Sequence, residues 1–93
     1  MATLGGWNLE EVKGVALPQK VQSAFTAVTG ELVGADYEPI AFLGSQVVNG
    51  TNYRIIAIQR LVVPNGEKRI VKMILHEAID GTASLVSVSG LAL

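Results

Sequence analysis

The sequence predicts an α+β domain in which one long helix packs across a four- or five-stranded antiparallel sheet. Three observations predict it. Apolar residues recur at helical spacing in a single stretch, from Leu17 to Leu32. Four later runs rich in Val and Ile are separated by short turn-forming segments. The 93 residues suffice for one hydrophobic core and not for two, so residues 1–93 are read as one domain.

The elements follow in order. Residues 1–16 fit neither period and are expected to form a short leading strand or arm; Gly5-Gly6 lets the backbone approach another surface, with Trp7 beside it as a large amphipathic contact group. Leu17, Val21, Ala24, Phe25, Val28 and Leu32 then line one face of a helix expected over 17–33. Pro18 suits its first turn and Gly34 its end, while Gly30 costs about 1 kcal/mol relative to Ala and weakens the last turn. Strands are expected over 37–48, 53–63, 69–79 and 85–91. Asn49-Gly50, Pro64-Asn65-Gly66 and Asp80-Gly81-Thr82 join them as tight turns, giving an antiparallel meander. In the third strand Val71, Met73 and Leu75 share one face and Lys72 and His76 the other; in the fourth, Val86 and Val88 alternate with Ser87 and Ser89. Ile55, Ile56 and Ile58 break the alternation of the second strand, whose register stays open.

Composition narrows the function classes. Hydrophobic residues make up 49% of the chain and charged ones 16%, the balance of a globular protein. A net charge of −1 without a run of one sign predicts neither a nucleic-acid nor a membrane partner. The absence of cysteine excludes a disulfide framework, a thiolate metal site and a cysteine nucleophile, and no metal or cofactor is expected. The opening MATLGGWNLEEVKG lacks a basic segment followed by an apolar one, and no run approaches the roughly 18 apolar residues of a membrane span. A cytoplasmic protein is expected unless a leader has been removed.

The most informative segment is Gln46-Val47-Val48-Asn49-Gly50, between the first two strands. None of these side chains is a nucleophile, a strong acid or base, or a usual metal ligand. An exposed turn of this composition is suited to being bound rather than to catalysis. Taken alone it is also compatible with an ordinary hairpin whose Asn-Gly makes the turn.

With the glycine pair, the single helix and the strand order, this segment resembles the cystatin superfamily of cysteine-protease inhibitors, most closely its stefin branch. Gln46 to Gly50 fits the Gln-X-Val-X-Gly motif, Gly5-Gly6 is similar to the family's N-terminal glycine, and Thr51-Asn52-Tyr53 is similar to the stefin sequence after the motif. The resemblance covers nearly the whole chain. It implies a reversible, tight-binding inhibitor of papain-like cysteine proteases that blocks the cleft with an N-terminal arm and two hairpins. Those are Leu4, Gly5, Gly6 and Trp7; Gln46, Val47, Val48, Asn49 and Gly50; and Ile79, Asp80, Gly81 and Thr82. On this reading Val47 and Val48 supply apolar contact, Gly50 permits the turn, Gln46 anchors the hairpin base by side-chain hydrogen bonds, and Leu4 enters a substrate-side pocket. Many cystatins carry Pro-Trp in the second hairpin, which stefins lack; this chain has Ile79-Asp80-Gly81 there.

Other readings of the same residues stand beside these. Trp7 is equally able to cap the core. His76 next to Glu77 suggests acid/base chemistry, but strand neighbours point to opposite faces, so a solvated or locally hydrogen-bonded histidine is expected and no enzyme. A non-inhibitory interaction module of cystatin fold is the alternative function. A monomer is expected, with a domain-swapped dimer as its alternative assembly, hinged over 47–50 if the first hairpin opens.

Overall fold

The computed structural model describes Leu9 and residues 11–91, which form one helix and one four-stranded antiparallel sheet. The helix α1 spans Gln19–Thr29 and the strands are β1 (Ala35–Val48), β2 (Gly50–Leu61), β3 (Lys68–Glu77) and β4 (Ala83–Gly90). Their order across the sheet is their order in the chain, β1-β2-β3-β4. The expected α+β class and meander therefore hold. Leu4, Gly5, Gly6 and Trp7 lie outside the described residues.

α1 begins after Pro18, whose extended backbone places its carbonyl to accept the Gln22 N–H at 2.8 Å. Val21, Ala24, Phe25 and Val28 form its buried face, as the spacing predicts. The α-helix is nonetheless shorter than the expected 17–33. The Gly30 amide still reaches four residues back to Thr26, but after it the amides reach only three, Glu31 to Val28 and Leu32 to Thr29, so the last turn tightens toward 3₁₀ geometry. Gly30 is the cause: with no side chain it does least to hold a helical backbone, and the Thr29 hydroxyl just before it folds back on the Phe25 carbonyl at 2.8 Å. Gly34, at φ +89°, turns the chain into β1 instead of capping the helix.

The helix packs on the sheet face that presents Tyr53, Ile55 and Ala57 from β2 and Val71, Met73 and Leu75 from β3. Phe25 sits among them; burying a side chain of that size contributes about 1.5–3 kcal/mol. The register left open by the sequence is thereby set: Ile55 faces the helix and Ile56 and Ile58 face away. In β4 one expectation fails. A bulge opposite Ile74 and Leu75 pairs Leu85 with Leu75 and Val88 with Met73, so Val86 is the extra residue and is exposed.

β1 is an edge strand, which is why it tolerates Pro39. The Pro39 carbonyl accepts the Val15 N–H at 2.9 Å, and the Glu38 carboxylate accepts the Gly14 N–H at 3.1 Å. The segment before α1 is tied to this edge without forming a regular strand over the described residues. At the sheet end remote from the first hairpin, buried Gln59 donates to Tyr37 Oη at 2.8 Å and accepts from Arg69 Nε at 2.6 Å, a polar link across β1, β2 and β3.

Candidate functional site

The meander brings two of the three predicted binding segments to one end of the sheet. β1 and β2 are paired up to Val48 and Gly50, leaving Asn49 alone at the tip of the first hairpin. The expected second strand begins at Tyr53; the real one begins at Gly50, so the motif is continuous with both strands. β3 and β4 close two strands away through Ala78 to Thr82. Val47 is 85% exposed and Ile79 83% exposed. With Val48, 45% exposed beside Val47, three exposed apolar side chains thus stand at the tips of neighbouring hairpins.

Gly50 is required for two separate reasons. Its φ of +98° lies in the region that disfavours any side chain. A Cβ there would also fall against the Glu77 carbonyl oxygen and 2.9 Å from His76 Cε1, because the end of β3, paired with β2 at Thr51 and Asn52, runs beside the turn. The sequence reading gave Gly50 only the first of these roles.

Gln46 does anchor the hairpin base. Its Oε1 accepts from Asn52 Nδ2 at 3.0 Å, and Asn52 Oδ1 in turn meets His76 Nδ1 at 2.8 Å. Since Asn52 Oδ1 can only accept, His76 Nδ1 is the donor. These three residues are register partners on β1, β2 and β3 and form a ladder on the face away from the helix. His76 is accordingly a locally hydrogen-bonded histidine.

The second hairpin is held by its own backbone. Gly81 N–H donates to the Ala78 carbonyl at 2.9 Å and Ala78 N–H to the Thr82 carbonyl at 2.8 Å, with Gly81 at φ +91°. Asp80 Oδ1 accepts the Thr82 N–H at 2.9 Å, and chiefly this hydrogen bond holds the Asp80 carboxyl below its ordinary pKa. Ile79 is left pointing outward.

Between the hairpins and the start of α1 lies an open recess of about 330 Å³, lined by residues that include Lys20, Val47, Thr51, Glu77 and Ile79. The Glu77 carboxylate, 14% exposed, accepts from Tyr53 Oη at 2.9 Å and lies 3.7 Å from Lys20 Nζ. Burial first, then the hydrogen bond and charge of Glu77, raise the Tyr53 pKa above 10. Lys20, Thr51, Ala78 and Glu77 were absent from the sequence-derived binding set. Thr51 and Ala78 adjoin the named segments and were legible there; Lys20 arrives only through the docking of α1 on the sheet.

No group of three or more His, Cys, Asp or Glu placed to hold a metal occurs among the described residues, and none of their helices is long and apolar enough to cross a membrane. Comparison with known protein families, characterised proteins and solved structures finds no match for this chain.

Proposed function

We propose that this protein is a cystatin-type, reversible inhibitor of papain-like cysteine proteases that fills the substrate cleft with the tips of its two hairpins. The observation that carries the proposal is the exposure of Val47 and Ile79 on adjacent, well-tied turns. A wedge of this kind excludes substrate by shape and apolar contact and presents no reactive group. Helix, four-strand meander and motif occur in the order that the resemblance to stefins implies. The proposed contact set is Gln46 to Gly50 with Ile79 to Thr82, and Leu4 to Trp7 as the arm. A cytoplasmic location belongs to the same proposal, since a cysteine-free chain needs no oxidising compartment to fold.

The test is equilibrium inhibition of papain by the purified monomer, with the Val47→Asp/Val48→Asp double variant as its pair. Placing charges where apolar contact is needed should raise the inhibition constant at least about 30-fold, the equivalent of losing one interface hot spot of roughly 2 kcal/mol. Absence of inhibition by folded wild-type monomer, or equal inhibition by the variant, refutes the proposal.

A further inference from the structure

We propose that the sheet face turned away from the helix carries a binding site for a single tetrahedral oxyanion of the phosphate or sulphate class. A recess of about 160 Å³ opens there, lined by Gly44, Gln46, Asn52, Arg54 and Lys72 among others. Arg54 pairs with Ile74 and Lys72 with Ile56, so the two cations are diagonal neighbours on β2 and β3 and share this face. Neither has an ion pair or hydrogen-bond partner among the described residues. Among the described strand residues on this face, the closest carboxylate in the register is Glu38, opposite Ile58 and two residue pairs beyond Ile56, and its Oε1 already accepts the Gly14 N–H. The net charge of −1 conceals this local excess of positive charge.

The amide ladder sets the sign of the ligand. His76 donates to Asn52 Oδ1 and Asn52 Nδ2 donates to Gln46 Oε1, so both amide oxygens are engaged within the protein. What remains free at the end of the ladder is the Gln46 Nε2 amino group, a donor only. Guanidinium, ammonium and amide donors therefore line one recess whose two side-chain amide oxygens each already accept a hydrogen bond from within the protein. Gly44, at φ +124° with nothing within 4 Å of a would-be Cβ, leaves the floor open. An anion between Arg54 and Lys72 would relieve their mutual repulsion and accept from three strands at once.

The test is a two-dimensional amide NMR titration of the full chain with sodium phosphate at pH 7, against sodium chloride at matched ionic strength. Sodium sulphate and glycerol 2-phosphate form parallel arms. Saturable shifts confined to residues 44–46, 52–54 and 72 are expected with the oxyanions only. Equal affinity for phosphate and its ester assigns a free ion, and tighter binding of the ester assigns a phosphate carried on a larger ligand. The Arg54→Gln/Lys72→Gln variant should weaken binding at least tenfold, and Gln46→Glu, which sets a carboxylate among the donors, should abolish it. Each variant is first checked for a wild-type dispersion pattern. Shifts that follow ionic strength alone, spread over all cations, or persist in the double variant overturn the proposal. Papain inhibition is read separately, so the anion site and the inhibitor reading fail independently.

Discussion

Replacing Gly50 with alanine separates two costs that the structure assigns to one position. The first is conformational: holding a non-glycine residue at φ +98° costs about 1–2 kcal/mol. The second is steric, since the new Cβ meets the Glu77 backbone oxygen and the His76 ring, and a backbone atom in a paired strand moves only by disturbing the ladder. Overpacking of this kind adds roughly 1–3 kcal/mol. The reference is Gly81→Ala, where φ is +91° but nothing lies within 4 Å of the added methyl, so only the first cost applies. Gly50→Ala should lose about 3 kcal/mol, or roughly 12–24 °C in Tm for a domain of this size, and Gly81→Ala about a third to a half of that. Urea unfolding of both variants, followed by far-UV circular dichroism, measures the difference. Equal destabilisation by the two would refute the claim that β3 packs against the turn and leave Gly50 with a conformational role alone.

Further outcomes follow from the polar contacts. The folded-state pKa of Tyr53 is raised, so its contribution to stability is complete below the unfolded value of 10.0 and is lost as pH rises through the folded value. The urea midpoint of the wild type should fall above about pH 10 more steeply than that of Tyr53→Phe; parallel curves would show that Tyr53 is not the group responsible. Gln59→Ala removes a buried side chain that serves Tyr37 and Arg69 together, and should cost about 1–2 kcal/mol in urea unfolding at neutral pH. A loss below about 0.5 kcal/mol would mean that water replaces both bonds.

What could be read from the sequence divides along a physical line. Helix and strands were legible because burial of one face imposes a period, and the turns because Asn49-Gly50, Asn65-Gly66 and Asp80-Gly81 have few alternatives. The convergence of the two hairpins was legible too, since in a meander the first and third connections must lie at the same end. The Gln46–Asn52 bond lay within reach, because both residues stand three positions from Asn49 and a hairpin centred there pairs them. Beyond reach were features set by partners distant in sequence. Val86 reads as an inward residue until the bulge against β3 shifts it, Ile56 and Ile58 take sides only once β2 is paired, and Lys20 joins the hairpin end only after α1 docks.

The stiffness of the hairpin end bears on function more directly than its composition does. Exposed Val47 and Ile79 on loose loops would have to be ordered on binding, at a cost of about 0.5–1.5 kcal/mol for each rotamer-rich side chain immobilised, with further cost for the loops. Here that ordering is already present. Strand pairing runs to within one residue of the first tip, the Gln46–Asn52–His76 ladder crosses its base, and two backbone bonds and the Asp80 carboxylate fix the second. The His76 ring that terminates the ladder is also the ring that a side chain at residue 50 would strike. Turn, ladder and β3 therefore form one mechanical unit, and a substitution at Gly50, Asn52 or His76 should loosen the first hairpin without touching the apolar side chains at its tip. Such a variant would keep the apolar surface and lose its preorganisation, which separates the two contributions to the proposed protease inhibition.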